Sequence, residues 1–192
     1  ANNGQSLVPV FDKENAFSLG DIAVDWRSGT IWVGTGEVNS SRSSYTGLGV
    51  YKSMNKGKSW EYLGLPESHH IGKINLHPTD NNIAWVAVLG HLYSPNKERG
   101  IYKTTDGGKT WKQALNVSEH TGFNEVMVDP RFPNIVYAAA HQRQRKVFTY
   151  IGGGPESALY KSTDGGTTWN KMMSGLPTVN LGRIGLNYSP VN

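Results

Sequence analysis

The 192-residue sequence contains no cysteine. That excludes a disulfide framework, a cysteine-ligated zinc and a thiol nucleophile. No run approaches the roughly 18 consecutive apolar residues that a membrane-crossing helix needs. The amino end lacks the apolar core of a signal peptide; the chain starts at Ala1 rather than Met, as it would with an upstream segment removed or left out. Charge is also scarce. Charged residues make up 18% against 37% hydrophobic, and the net charge is only +4. The balance excludes a charge-driven disordered chain, and the basic excess is too small and scattered for a nucleic-acid partner. The densest basic cluster, Arg143, Arg145 and Lys146, reads as a solvated loop. No stretch holds a 3.6-residue apolar period, so few helices are expected. What is abundant is glycine (23) with six Trp and nine Tyr. Within the length of one domain, that points to short strands joined by tight turns.

Three series of segments repeat along the chain. Gly49–Trp60 (GVYKSMNKGKSW), Gly100–Trp111 (GIYKTTDGGKTW) and Ala158–Trp169 (ALYKSTDGGTTW) align without gaps. Ahead of them run GDIAVD from Gly20, GKINLHP from Gly72, NEVMVDP from Asn124 and GRIGLNYSP from Gly182, with Ile22, Ile74, Val126 and Ile184 spaced by 52, 52 and 58 residues. TIWVGTG, NIAWVAV and NIVYAAA form the third series. Each unit reads as four strands: alternating apolar positions, β-branched and aromatic residues, turns between. Four strands in 50-odd residues is the signature of a propeller blade. The expected fold is all-β: a segment of a β-propeller with three complete four-stranded antiparallel blades and a partial blade at each end. The complete blades span 20–63, 72–115 and 124–173. Residues 1–19 are assigned to the outer strand of a preceding blade (residues 5–11, QSLVPVF) and a link, and 182–192 to the first strand of a further blade. Such a segment would not close into a ring. Its edges would meet the rest of a longer propeller or another chain, since native proteins cover open edges.

The turn between the third and fourth strands has the form S/T-x-D-x-G-x-T-W. It is complete at Thr104, Asp106, Gly108, Trp111 and at Ser162, Asp164, Gly166, Trp169, and degenerate at Ser53, Asn55, Gly57, Trp60. A carboxylate or amide can accept backbone N–H bonds within such a turn, glycine supplies positive φ, and the Trp is expected to be largely buried. This motif resembles the Asp box, or BNR repeat, of sialidases, sortilin-type receptors and related propellers. The text from His70 to Trp111 and GFNEVMVDPRFPNIVYAAAHQRQR resemble bacterial sortilin-type (VPS10-like) proteins, often labelled glycosyl hydrolases. The resemblance spans essentially the whole chain and implies an exported protein of the periplasm, cell surface or medium. It also implies that Asp106 and Asp164 build turns and are neither catalytic nor calcium ligands, because Asp boxes lie away from the binding face.

Blade geometry divides the loops. The short turns share one face. The long connections after Gly36, Leu89 and Ala140, with the links between blades, share the other. That face collects five of the six histidines (His69, His70, His91, His120, His141) with Arg42, Tyr45, Tyr93, Arg99, Arg143, Arg145 and Tyr150. Loops on a rigid scaffold favour binding, although polar residues also gather in loops for solubility alone. Glu37, Glu67, Glu119 and Glu156 are the carboxylates there that could serve a glycoside hydrolase. The sialidase arginine-containing motif is missing, since GRIG at Gly182 is not Arg-Ile-Pro. His69, His70 and Glu67 show no recognised metal-ligand spacing, and Gly152–Gly154 precede no Lys and helix. No metal and no cofactor are therefore expected. The expected function is a non-catalytic binding or scaffold segment gripping a peptide, glycan or protein. The alternative is a sialidase- or xyloglucanase-like glycoside hydrolase with acids partly on other blades. Neither nucleic-acid binding nor membrane insertion is expected.

Overall fold

A computed structural model describes residues 3–189. They form three four-stranded antiparallel sheets. The first is β1 (Leu19–Asp25), β2 (Thr30–Thr35), β3 (Val50–Ser53) and β4 (Glu61–Tyr62), and the second is β5 (Ile71–Leu76), β6 (Ala84–Val88), β7 (Gly100–Thr104) and β8 (Lys112–Leu115). The third sheet is β9 (Thr121–Val128), β10 (Val136–Gln142), β13 (Ala158–Ser162) and β14 (Asn170–Lys171). Within each sheet the strands lie in chain order. Between β10 and β13 a hairpin, β11 (Gln144–Arg145) with β12 (Tyr150–Ile151), is inserted in the connection. One 3₁₀ turn, Pro66–Ser68, links the first two sheets.

The strand patterns follow from where the sheets are covered. β6 reads AWVAV and every residue is buried. A strand buried on both faces loses the polar alternation of a half-exposed one, and here both faces meet neighbouring sheets. Trp32, Val50, Leu63, Ile71, Ile74, Val86 and Tyr102 fill the first interface. Trp85, Ile101, Phe123, Val126, Val136 and Ala138 fill the second. The first strands β1, β5 and β9 lie side by side. Each has a register shift at the same repeat position. Gly20 shows why that position is restricted: a Cβ there would stand 2.0 Å from the Ile71 carbonyl oxygen.

The three repeat turns share one hydrogen-bond skeleton. Asp106 Oδ1 accepts the Thr110 N–H (3.0 Å) and the Thr104 hydroxyl (2.8 Å), and Thr104 Oγ1 accepts the Gly108 N–H (2.9 Å). Ser162, Asp164, Gly166 and Thr168 repeat it. Asn55 reproduces it with its amide: Oδ1 accepts the Ser59 N–H (2.9 Å) and Nδ2 donates to Ser59 Oγ (2.8 Å). These bonds, led by the Thr110 and Thr168 hydroxyls, hold the Asp106 and Asp164 carboxyls well below the usual carboxylate range. The second and third turns also clasp the preceding sheet. The Lys52 ammonium donates to the Gly107 carbonyl (3.0 Å), and Lys103 donates to that of Gly165 (2.7 Å).

Three expectations are corrected. Trp60, Trp111 and Trp169 are half-buried, not largely buried. The fully buried indoles are Trp32 and Trp85, each about 1% exposed. The turn Trp lies at the margin of an interface and points its N–H at a carbonyl: Trp111 Nε1 donates to Leu63 O (2.7 Å). Residues 5–11 form no strand, and Leu7 and Val8 are exposed. The segment instead packs on the first sheet. Trp60 Nε1 donates to Val10 O (2.6 Å), Phe11 meets the rings of Tyr51 and Trp60 edge-on, and a Cβ on Gly57 would meet Val10 as one on Gly108 would meet Leu63. Val10 thus takes the place that the end of a preceding blade would occupy, without ladder bonds to make it a strand. At the other end, residues 182–189 have no strand assignment. They run beside β9, where Asn124 Nδ2 donates to Ile184 O (2.6 Å). Residues 1–2 and 190–192 of the two end segments lie outside the described residues.

Candidate functional site on the long-loop face

The long connections converge and tie to one another. Loop 36–49 meets loop 89–99 where the Tyr93 hydroxyl donates to Arg42 O (2.8 Å). Arg145 reaches across with Nη2 to Ser40 O (2.7 Å), while its own N–H donates to Leu92 O (2.9 Å). Arg143 is 1% exposed. It donates to Ser40 Oγ (2.5 Å) and the Gly90 carbonyl (3.4 Å). Arg99, equally buried, donates to the carbonyls of Leu89, His91 and Ser94. Among the described residues no carboxylate pairs with either guanidinium, and burial lowers both pKa values, Arg99 to about 10 and Arg143 to about 9. Both remain charged at neutral pH; their terminal nitrogens donate to backbone carbonyls and the Ser40 hydroxyl, while each Nε is buried without a partner. The solvated-loop reading of Arg143 and Arg145 is therefore corrected: they are anchors inside the loop cluster. Only Lys146 of that trio is exposed.

Asn96, 7% exposed, is the second clamp. Its Oδ1 accepts the His91 N–H (3.1 Å), its Nδ2 donates to Glu67 O (3.2 Å) and Glu98 Oε2 (2.9 Å), and its N–H donates to Glu119 O (3.0 Å). Ser40, Asn96 and Glu98 escaped the sequence reading. No motif marks Ser40, whereas Asn96 and Glu98 sit in the loop already singled out.

The histidines divide into two groups. His69 and His91 stack at 3.7 Å between ring centroids, with Glu67 Oε2 3.9 Å from His69 Nε2 and 3.4 Å from His91 Nε2. These three residues, not His69, His70 and Glu67, form the compact group of potential ligands. His70 is fully buried. Burial, then the Arg143 charge, pushes it down to about 3, the Glu37 backbone pulling the other way. His141, 4% exposed, faces the Gly152 carbonyl (3.2 Å) and is pushed down to about 4, mainly by burial. His120 is exposed beside Glu119 (3.8 Å).

The four candidate glutamates do not assemble. Glu37 is half-buried, its N–H bonded to Tyr45 O (3.1 Å). Glu67 faces the two imidazoles and Glu119 faces His120. Glu156 accepts the hydroxyls of Ser118 (2.6 Å) and Thr121, which hold its carboxyl below the usual range. A different pair does share a cavity. Glu67 and Glu98, with Leu65, Pro66, Ser68 and Tyr102, line a recess of about 180 Å³. Burial, with Glu98 adding, pushes the Tyr102 phenol up to about 12. On the long loops Tyr45, Tyr93 and Phe148 are exposed, at 62%, 52% and 95%. Tyr150, 40% exposed, lies 4.6 Å from the Arg145 guanidinium.

The family model for Sortilin-Vps10, described as sortilin, neurotensin receptor 3, matches residues 49–184. Among solved structures, an ancestral GH74 enzyme aligns with a TM-score of 0.58 at 19% identity over 81% of this chain and 18% of that one. The GH74 xyloglucanase of Xanthomonas campestris aligns with a TM-score of 0.57 at 20% identity over 82% of this chain and 22% of that one. The chain thus spans about a fifth of the length of these structures, and the likeness is one of propeller fold. No curated protein matches the chain.

Proposed function

Because the chain belongs to the Sortilin-Vps10 family, we propose that it is a non-catalytic binding segment of a larger exported propeller, gripping a glycan or an extended peptide on its long-loop face. One observation carries the reading. Buried Arg99, Arg143 and Asn96 lock three loops into a single surface, and that surface exposes Tyr45, Tyr93, Tyr150 and Phe148. Aromatic faces held on a rigid support bind sugar rings and apolar side chains at little cost in side-chain entropy. The three repeat turns are read as Asp boxes that join blades. More blades, on this or another chain, are proposed to cover Ile22, 53% exposed on β1, and the exposed Leu7 and Val8. Export is proposed from the family; no helix of the described residues is long and apolar enough to cross a membrane.

The competing reading is a glycoside hydrolase. It rests on the recess shared by Glu67 and Glu98, because such enzymes work with two carboxyl groups flanking the bond. A single experiment separates the two. The protein carrying this chain is exposed to glycan and peptide arrays, and every bound glycan is then tested for turnover. Binding without turnover, weakened at least tenfold by Tyr93→Ala or Tyr150→Ala, supports the binding reading. Turnover abolished by Glu98→Gln overturns it.

A further inference from the structure

We propose that Glu67, His69 and His91 form a binding site for a divalent cation of the zinc class, bridging the link between the first two blades and the loop after β6. The ligand types suit zinc, which takes imidazole nitrogen and carboxylate oxygen at about 2.0–2.2 Å in a tetrahedron. Two such ligands stand roughly 3.3 Å apart around the ion. Glu67 Oε2 lies 3.4 Å from His91 Nε2 and 3.9 Å from His69 Nε2, and all three ligand atoms fall within 4.8 Å of one another.

The surroundings favour a cation over a simple contact. His91 Nδ1 lies 3.0 Å from Ser94 Oγ. In the tautomer whose Nδ1–H donates there, the Nε2 lone pair faces the Glu67 carboxylate, and two acceptors so placed repel unless a cation lies between them. His91 Nε2 is buried and has no hydrogen-bond partner. A histidine fixed through its far nitrogen and open at the near one is the usual state of a metal ligand. The backbone is prepared as well: Asn96 bonds both the His91 N–H and the Glu67 carbonyl, and the Gly47 N–H donates to His69 O (2.6 Å). Glu98, held by Asn96, adds a second negative charge that acts on His69.

The stacked rings run nearly parallel, 25° apart, so the His69 ring must turn for both lone pairs to meet one ion. Its side chain is 29% exposed and has solvent on one side to turn into. The Glu67 side chain is 58% exposed, which leaves the fourth position to water or to a donor from a bound partner.

The test uses the protein carrying this chain, stripped with a chelator, then titrated with Zn²⁺ against a chromophoric competitor and with Co²⁺ as spectroscopic probe. One ion per chain is expected, with the strong visible bands of four-coordinate cobalt. Glu67→Gln, His69→Ala and His91→Ala should each weaken zinc binding at least tenfold, and His120→Ala should leave it unchanged. Glu67→Gln is exposed and isosteric, so its result stands even where a histidine variant folds poorly. The proposal is overturned by absence of zinc binding, by a six-coordinate cobalt spectrum, or by an affinity that Glu67→Gln does not change.

Discussion

Trp85→Ala tests whether the blades are held together by the second-strand indoles rather than by the turn tryptophans. Trp85 is 1% exposed at the interface between the second and third sheets. Its N–H donates to Gly165 O (3.2 Å), His77 stacks on it, and the Lys103 ammonium lies 5.3 Å from its ring. Truncating a buried Trp costs about 3–5 kcal/mol. The lost hydrogen bond adds little, because Lys103 still satisfies the Gly165 carbonyl at 2.7 Å. We expect a loss of about 4 kcal/mol for Trp85→Ala, and about 1 kcal/mol for Trp85→Phe, which keeps the ring and drops only the N–H. Trp111 is half-buried, so Trp111→Ala should lose about 1–3 kcal/mol, mostly its bond to Leu63 O and its edge contact with Trp32. Urea unfolding followed by far-ultraviolet circular dichroism gives all three values. Should Trp111→Ala cost as much as Trp85→Ala or more, the assignment of the interface cores is wrong.

Further outcomes follow from single positions. Gly36 has φ +95°, and a Cβ there would stand 1.9 Å from the His69 carbonyl, so Gly36→Ala should lose more than about 3 kcal/mol in the same assay. Lys56 sits at φ +62° where the other two repeat turns carry Gly107 and Gly165. Lys56→Gly relieves about 1–2 kcal/mol of left-handed strain against about 0.5–1 kcal/mol of glycine entropy, and a net gain near 0.5–1 kcal/mol is expected in thermal unfolding. His141 has a folded pKa of about 4, below its ordinary 6.5, so the unfolded chain binds the extra proton between those values. Stability therefore falls as pH drops from 6.5 towards 4, by about 2 kcal/mol per such histidine between pH 7 and 5; His141→Gln should flatten that slope, and an unchanged slope refutes the assignment. Arg143→Lys keeps the charge but not the fork that spans Ser40 and Gly90, so amide exchange should quicken in loops 36–49 and 89–99 while β6 stays protected.

What the sequence disclosed and what it withheld divide along the distance over which each interaction acts. The turns are legible because Thr104, Asp106, Gly108 and Thr110 bond to one another within seven residues. The four-strand repeat is legible for the same reason, as neighbours in each sheet are neighbours in the chain. The burial of the tryptophans was misread because it depends on the next blade. Trp32 and Trp85 are covered by residues of the following repeat, which no local pattern announces. The end segment 5–11 has the alternation of a strand, but a strand also needs a partner, and Val10 and Phe11 find side chains of the first sheet instead.

The loop face carries that argument furthest. Arg143 and Arg145 look like solvent-facing charge in HQRQRK, yet Ser40 lies about a hundred residues earlier in the chain and takes bonds from both. Each long loop is polar and unstructured on its own. Set side by side by the repeat, the loops satisfy one another: arginines supply donors to the carbonyls that irregular backbone leaves unpaired, and Asn96 does the same for two successive blade links. Irregular segments become rigid in this way only when such groups are answered. The same convergence brings Glu67 and His69 from one link against His91 from the next loop. Residues 22 positions apart or more become ligands or neighbours because the blade repeat returns the chain to the same face, so the chemistry of that face belongs to the assembly of loops and not to any one of them.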